Sequence, residues 1–296
     1  MSPAPDGTVT WRELLAEAEA RLAAADVRSA QADARWIVAD CLDVAPSGLS
    51  GALNELATER GVARLDDMVR RRAQGEPLQY VLGSWGFRTL DLLVDDRVMI
   101  PRPETETVVE VALAELDRLG GGERATRVLD LGTGSGAIAL SIAVERVRTE
   151  VWATDASEGA LAVARANIAG VGRPGARVRT ALGDWFAALP AHLRGGFDLV
   201  VSNPPYVATA VELPAEVAGW EPTSALWSGE DGTTDLRHIV AEAPDWLDRD
   251  GVLVCELSPE QADTMAELAR RHFGEAEIGH DLTGRARALV ARRPRR

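Results

Sequence analysis

The 296-residue sequence contains no lysine, only two cysteines and no apolar run long enough to cross a bilayer. Cys41 and Cys255 each lie in an apolar stretch, which is typical of buried thiols in a reducing compartment and does not support a disulfide framework. The four histidines lack the spacing of metal ligands, so no metal site is predicted. With no signal pattern over residues 1–9, we expect a cytoplasmic protein without a membrane partner.

The charge of the chain is strongly acidic. Aspartate and glutamate total 46 residues against 32 arginines, which gives a formal net charge of −14. A long nucleic acid bound through its phosphates requires a basic surface, so the charge disfavours a direct nucleic-acid partner. The 46% apolar content is ample for packing, and the length fits two domains with separate cores.

The first part of the chain, residues 1–82, has the periodicity of a small helical bundle. Thr10 and Glu13 form a capping-box pattern at the start of the first helix, and residues 53–72 are predicted to form a later helical run. Apolar residues recur along one face of the first helix at Trp11, Leu14, Leu15, Ala18 and Leu22. Residues 83–100 are predicted to form a β-hairpin that links this bundle to a second domain.

The second domain, residues 101–296, alternates short apolar runs with helical stretches. This alternation is typical of an α/β fold with an open, mostly parallel sheet and helices on both faces. Seven strands are predicted, at residues 127–131, 151–155, 178–182, 197–202, 251–257, 276–280 and 287–291.

A glycine-rich loop follows the first strand of this domain. It comprises Gly132, Thr133, Gly134, Ser135 and Gly136 and leads directly into an apolar helix. Glycines let the backbone turn sharply against a ligand, and the helix amino terminus offers unpaired N–H groups. Because Ala137 completes a G-x-G-x-x-A pattern, the loop alone does not separate a dinucleotide from S-adenosylmethionine.

Acidic and aromatic residues at neighbouring strand ends complete the predicted cofactor site. Asp155 is placed to accept hydrogen bonds from ribose hydroxyls, the alternative being a cap of the next helix. Asp130 is predicted to orient the cofactor's amino group, with a loop-bracing role as the alternative. Asp184 is predicted to accept from an adenine amino group and Trp185 to cover the ring, unless Trp185 serves only in packing.

The catalytic hypothesis centres on Asn203, Pro204, Pro205 and Tyr206, which follow the fourth strand. Two consecutive prolines remove two N–H donors, so this loop presents acceptors only. An amide or aromatic-amine nitrogen is a poor nucleophile because its lone pair is delocalised. The Asn203 side-chain oxygen and the Pro204 carbonyl can hold its two N–H bonds while Tyr206 stacks on the planar group, so orientation replaces a general base. The alternative is a proline strand terminator with Asn203 as a helix cap.

These residues resemble those of the HemK/PrmC family, the protein-(glutamine-N5) methyltransferases that act on class I peptide chain release factors. The elements that carry the resemblance occur in the family's order: Arg70-Arg71-Arg72, residues 75–83, residues 100–106, the glycine loop, Asp184-Trp185-Phe186 and Asn203-Pro204-Pro205-Tyr206. The resemblance implies a class I methyltransferase (Rossmann-like) fold that binds S-adenosylmethionine through the glycine loop, Asp155 and Trp185. It further implies that residues 203–206 grip the glutamine of a Gly-Gly-Gln motif and that the helical bundle docks the release factor.

Several alternatives remain open. Relatives that methylate a glutamine of a ribosomal protein share the catalytic elements, and the Asn-Pro-Pro-Tyr sequence also occurs in adenine-N6 and guanine-N2 nucleic-acid methyltransferases. An NAD-dependent oxidoreductase would leave residues 203–206 unexplained, and a binding scaffold would leave the intact glycine loop unexplained. No role is predicted for residues 221–232, expected to form a loop near the substrate mouth, while Glu256 is expected to be a buried, hydrogen-bonded carboxylate.

Overall fold

The computed structural model describes residues 8–120 and 124–295. The chain divides into two compact units. The first takes in the described residues up to Gly83 together with Pro214–Trp220, and the second comprises Ser84–Leu213 and the chain from Glu221 onward. The segment Pro214–Trp220, which follows the predicted catalytic loop in sequence, therefore belongs to the first unit, which we call the helical unit.

The described residues form helices in both units, and the strands all lie in the second unit. The helices are α1 (Trp11–Ala24), α2 (Ala30–Cys41), α3 (Leu49–Ala52), α4 (Glu59–Ala73), α5 (Leu78–Leu82), α6 (Pro103–Arg118), α7 (Ala137–Glu145), α8 (Glu158–Gly170), α9 (Ala215–Ala218), α10 (Thr234–Trp246) and α11 (Ala262–His272). The strands are β1 (Ser84–Phe87), β2 (Leu90–Leu93), β3 (Thr126–Leu131), β4 (Thr149–Asp155), β5 (Val178–Leu182), β6 (Phe197–Ser202), β7 (Leu247–Glu256), β8 (Phe273–His280) and β9 (Ala286–Pro294). Among the residues just described, no helix combines the length and apolarity needed to span a membrane.

The helical unit begins as its capping pattern predicts. The Thr10 side chain accepts from the Glu13 backbone N–H, and the Glu13 carboxylate accepts from the Thr10 backbone N–H at 2.8 Å. The apolar residues of α1 that share one face are buried in the core of this unit. The predicted helical run over residues 53–72 is wrong at its start, because α4 begins only at Glu59, where the Thr58 side chain caps it.

A buried ion pair joins three parts of the helical unit. Arg72 of α4 donates to the Asp33 carboxylate of α2 at 2.7 Å, and both side chains are nearly inaccessible to solvent. A second nitrogen of the same guanidinium donates to Glu216 of α9 at 2.7 Å. The segment Pro214–Trp220 is thereby tied to the helices that precede it by some 140 residues, a link that helical periodicity does not reveal.

The second unit contains the seven-stranded sheet that the alternation predicts. Its strand order is β5-β4-β3-β6-β7-β9-β8, parallel except that β9 runs antiparallel to both β7 and β8. Strand residues alternate between two cores: Val128 packs with α6 and α7 on one face, while Leu129 packs with α10 and α11 on the other. The fold class predicted from the sequence is confirmed by this sheet and its flanking helices.

The predicted hairpin is shorter than the 83–100 segment. β1 and β2 pair over four residues each, with Phe87 opposite Leu90. Residues 94–102 are not strand, since Asp95 accepts from the Arg97 backbone N–H in a turn that ends the pairing. The cysteines form no disulfide, and Cys255 is buried as expected whereas Cys41 is only partly buried.

Candidate active site

The sheet register aligns the ends of four parallel strands. Leu131 pairs with Thr154 on one side and with Ser202 on the other, and Ser202 pairs in turn with Cys255. The residues that come next, Asp155, Gly132, Asn203 and Glu256, therefore lie in one row at the carboxyl edge of the sheet. The chain order reverses between β3 and β6, and such a switch point is where open α/β sheets bind their ligands.

The glycine loop is held by hydrogen bonds to the strand beside it. The Thr133 N–H donates to the Thr154 carbonyl oxygen and the Gly134 N–H donates to Asp155, both at 2.9 Å. Gly134 has φ +55, a left-handed conformation that glycine adopts readily, and Gly132 has φ +68. These turns fold the loop over the end of β3 and aim its backbone at the space beyond the strand ends.

Asp155 ends β4 and lies on the cavity wall. Its carboxylate accepts from the Gly134 N–H and, at 2.8 Å, from the Ser157 N–H. Burial raises the pKa of Asp155, while these backbone hydrogen bonds act in the opposite direction. The side-chain cap of α8 is Ser157, whose hydroxyl oxygen accepts from the Ala160 N–H at 3.2 Å, so the Asp155 carboxylate does not serve as the cap.

Asp130 lies beneath the glycine loop and has no solvent exposure. One carboxylate oxygen accepts from the Thr133 hydroxyl at 2.6 Å and from the Ala139 N–H at 3.1 Å. The other oxygen is buried without a hydrogen-bond partner among the described residues. Burial raises the pKa of Asp130 to about 7. Asp130 therefore joins the glycine loop to α7 through hydrogen bonds. It is not among the residues that line the cavity.

Trp185 lines the cavity close to the glycine loop. A Cβ built on Gly132 would lie 3.5 Å from the Trp185 ring, so a side chain at position 132 would contact the indole. The backbone of Trp185 has φ +40, which is uncommon for a bulky residue. Asp184 precedes it and also lines the cavity.

The Asn-Pro-Pro-Tyr loop is anchored at both ends. The Asn203 side-chain nitrogen donates to the Thr105 hydroxyl oxygen at 3.2 Å. The Tyr206 hydroxyl donates to the Glu256 carboxylate at 3.2 Å, and the Tyr206 carbonyl accepts from Gln261 at 3.0 Å. Burial and the neighbouring Glu256 charge raise the pKa of Tyr206 well above its usual value, so its phenol stays protonated at physiological pH.

A cavity of about 400 Å³ lies along this row of strand ends, a size typical of cofactor and substrate pockets. Most of the predicted site residues line it: Gly132, Thr133, Gly134, Ser135, Asp155, Asp184, Trp185, Asn203 and Pro205. Four are not among the lining residues, namely Asp130, Gly136, Pro204 and Tyr206. Two further segments, residues 97–105 and 222–225, also contribute to the wall.

The sequence motifs indicate only part of these two segments. The 100–106 motif contributes Pro101 and Thr105, but the neighbouring Met99 carries no motif signal. Residues 221–232 had no predicted role, yet Pro222 and Ala225 line the cavity.

A buried carboxylate holds the second of these segments in place. Glu221 accepts from the Ile100 N–H at 3.3 Å and from the Arg102 guanidinium. In the sequence, Arg102 beside the proline-rich turn indicates that an acidic partner exists. The sequence does not show which acidic residue it binds.

Comparison with known proteins identifies relatives of both units. Residues 13–83 match the family model described as the PrmC N-terminal domain, and residues 110–217 match the methyltransferase small domain. A release factor glutamine methyltransferase from Deinococcus radiodurans is 40% identical, covering 95% of this chain and 98% of that protein. One from Xylella fastidiosa is 45% identical, covering 77% of this chain and 80% of that protein.

A solved structure shares the fold at low sequence identity. A methyltransferase from Pyrococcus furiosus superposes with a TM-score of 0.50 at 18% identity, covering 71% of this chain and 92% of that one. At this level of identity the likeness concerns the fold alone.

Proposed function

The chain belongs to the family of release factor glutamine methyltransferases, and on that premise we propose that it methylates the side-chain amide nitrogen (N5) of the glutamine in a Gly-Gly-Gln motif. It is an S-adenosylmethionine-dependent protein glutamine methyltransferase. The observation that carries the proposal is the shared wall of one cavity: the glycine loop and Asn203 begin side by side at the switch point of the sheet.

The residues present fit the cofactor. The cavity has the volume of a nucleotide-sized ligand, with a carboxylate, a glycine backbone and an indole ring on its walls. We assign Asp155 to the ribose hydroxyls, Trp185 to the adenine face and Asp184 to the adenine amino group. Residues 132–136 would pack against the ligand through their backbone. When bound, the cofactor supplies a sulfonium methyl group, an electrophile that a neutral nitrogen can attack.

The chain's own contribution to the reaction is orientation. The Asn203 side-chain nitrogen is engaged by Thr105, which leaves the Asn203 side-chain oxygen to accept an N–H from a substrate carboxamide. The Pro204 carbonyl is the proposed acceptor for the second N–H, and Tyr206 is the proposed stacking surface. Held by two acceptors, the amide nitrogen directs its lone pair toward the cofactor end of the cavity.

No side chain needs to remove a proton before attack. Acceptor oxygens stabilise the positive charge that develops on nitrogen as the N–C bond forms and the carbon–sulfur bond of the methyl donor breaks, and the nitrogen then loses its proton to solvent. Asn203 cannot act as a strong base, and the Tyr206 phenol is committed to Glu256. We therefore propose that the Asn-Pro-Pro-Tyr loop acts by placing hydrogen-bond acceptors around the substrate nitrogen.

The proposed partner is a class I peptide chain release factor, docked on the helical unit. Support comes from the match of residues 13–83 to the PrmC N-terminal domain. The net charge of −14 makes direct binding of nucleic acid unfavourable. Because release factors act in translation, we propose a cytoplasmic location.

Transfer of labelled methyl from S-adenosylmethionine to purified release factor tests the proposal directly. The matched control is the same release factor with its motif changed to Gly-Gly-Ala, which should accept no label. Ribosomal protein and DNA are offered in parallel reactions. Stronger labelling of either, or label in the Gly-Gly-Ala factor, would contradict the proposed substrate.

A further inference from the structure

A buried carboxamide joins the glycine loop to the end of the β-hairpin. Asn167 lies in α8 and is 6% exposed. Its side-chain nitrogen donates to the Ser135 carbonyl oxygen of the glycine loop at 2.8 Å. The same nitrogen donates to the carbonyl oxygen of Leu93, the last residue of β2, at 3.0 Å, and the side-chain oxygen accepts from the Leu93 N–H at 2.7 Å. One side chain thus holds together two segments that are far apart in the sequence.

The three contacts match the donors and the acceptor of a carboxamide. Two carbonyl oxygens need donors and one N–H needs an acceptor, and the Asn167 side chain offers two N–H bonds and one oxygen. The reversed amide would place its oxygen against both carbonyl oxygens, so the partners fix its orientation. An ionised carboxylate at this position could accept from Leu93 but would have no proton for either carbonyl oxygen.

Both ends of this link lead to the cavity wall. Ser135 lines the cavity itself. The chain that leaves β2 at Leu93 reaches the cavity at Arg97 and Val98. Asn167 is not among the lining residues, so any effect it has on a bound cofactor passes through its partners. Asn167 is therefore placed to hold two parts of one wall at a fixed spacing.

The glycine loop gains most from such a tether. Ser135 lies between Gly134, with φ +55, and Gly136, with φ +86. Glycine loses more conformational freedom than any other residue when its backbone is ordered, so an untethered loop would have to be ordered as the ligand binds. A tether that orders the loop beforehand removes this cost from binding and raises the affinity.

We propose that Asn167 is a positioning residue that preorganises the glycine loop for S-adenosylmethionine by tying the Ser135 carbonyl to the end of β2. The inference rests on the proposed function only in that the glycine loop is the cofactor loop. The identity of the methyl acceptor does not enter it. Binding of S-adenosylmethionine to the free enzyme therefore tests the tether, whichever protein is methylated.

Asn167→Ala is the first test. Loss of the tether should raise the dissociation constant of S-adenosylmethionine about fivefold to tenfold, the change that corresponds to one hydrogen bond. The maximal rate of methyl transfer at saturating cofactor should stay within about twofold of wild type, because the cofactor occupies the same position once the loop is ordered. Arg165→Ala, at an exposed position of the same helix, should change neither quantity.

Asn167→Asp makes the tether depend on pH. The introduced carboxyl would face two carbonyl oxygens in a buried site, which raises its pKa well above the usual value of about 3.9. The ionised form repels the Ser135 carbonyl, whereas the protonated form can donate to one carbonyl oxygen and accept from the Leu93 N–H. The ratio of the variant to the wild-type dissociation constant should therefore fall toward unity as the pH is lowered from about 8 to about 5. Taking the ratio corrects for Asp130 and Asp155, which adjoin the glycine loop in both proteins.

Ala166→Asp is the matched control for the introduced charge, since position 166 is the exposed neighbour on α8. Its ratio to wild type should stay near unity at every pH. A pH-independent ratio for Asn167→Asp would overturn the tether. So would a dissociation constant that Asn167→Ala leaves unchanged, because a side chain that serves only the stability of the fold does not alter the affinity of the folded protein.

Hydrogen exchange of the Leu93 amide tests the tether in the unmodified protein, so the result does not depend on how any variant folds. This amide donates to Asn167 and should be protected before S-adenosylmethionine is added, with little further slowing afterwards. Protection that develops only with the cofactor would show that the link is not formed in advance, and the proposal would fail. Methyl transfer to a protein other than a release factor, with the affinities as expected, would count against the proposed substrate and still support the tether.

Discussion

Leu131 of β3 and Ser202 of β6 are paired across the parallel sheet, and the Ser202 hydroxyl donates a 2.8 Å hydrogen bond to the Leu131 carbonyl oxygen. This contact locks together the last residues of two strands. The loops that follow, one rich in glycine and one rich in proline, consequently start next to each other. The proposed cofactor loop and the proposed substrate loop are thus held in register by two paired strands, which is what transfer between two bound groups requires.

Asn203→Ala should abolish most methyl transfer while leaving cofactor binding nearly unchanged. The change removes the acceptor proposed for the substrate amide, a loss expected to lower the maximal rate about a hundredfold or more. Single-turnover labelling and calorimetry with S-adenosylmethionine measure the two effects separately. Glu267→Ala, at an exposed position of α11, serves as the control and should retain full activity. Undiminished turnover by the Asn203 variant would refute the orientation mechanism.

Trp185→Ala should weaken binding of S-adenosylmethionine. Stacking of a base on an aromatic ring contributes on the order of 1 to 3 kcal/mol, so the dissociation constant should rise about fivefold to 150-fold. Titration calorimetry measures the change, and Trp185→Phe should recover part of the affinity. Trp36→Ala, at a partly exposed tryptophan of α2, is the comparison variant. An unaltered dissociation constant would mean that Trp185 serves only in packing.

Asp130→Asn should flatten the pH dependence of stability. The folded-state pKa of Asp130 is raised to about 7, above the unfolded value of about 3.9. The stability that this carboxyl contributes is therefore fully present below about pH 4 and is lost as the pH rises toward 7, because the folded state retains the proton longer. Between pH 5 and 8 the wild-type protein should lose on the order of 2 kcal/mol more than the variant.

Urea unfolding at a series of pH values tests this expectation. Glu256 contributes a loss of the same sign over the same range, so the informative quantity is the difference between the wild-type protein and the variant. Parallel stability curves for the two proteins would show that Asp130 ionises normally in the folded state.

Arg72→Ala should destabilise the helical unit far more than Arg70→Ala. The first substitution leaves the Asp33 carboxylate buried without its ion-pair partner, a change that costs about 3 to 5 kcal/mol. The second removes an exposed pair between Arg70 and Asp67, which is worth less than about 1 kcal/mol. Hydrogen exchange over residues 11–82 should accelerate strongly in the first variant and hardly in the second. Similar exchange in both would show that the buried pair is not a main support of this unit.

Much of the second unit could be predicted because its signals are local. Apolar runs bounded by turn residues mark the strands, so β5 and β6 match their predicted bounds, and the glycine and proline loops are recognisable from residue type alone. The predicted helix over residues 53–72 is wrong at its start because the apolar spacing continues through Leu56. The Thr58 cap instead fixes the beginning of α4 at Glu59. The roles of individual site residues remain proposals, although most of them line one cavity.

What the sequence by itself determined is the order of the elements and the chemistry of each loop, since periodicity, glycine and proline act over a few residues. Only the tertiary structure decided which distant groups meet: Glu221 with Ile100, Glu216 with Arg72, and Glu256 with Tyr206. Strand register places Glu256, whereas Glu216 and Glu221 lie on segments that pack against distant parts of the chain. All three contacts therefore depend on the packing of a whole unit. For that reason the proposed catalytic loop could be recognised from the sequence alone, whereas the partner of Glu256 was decided only by the folded chain.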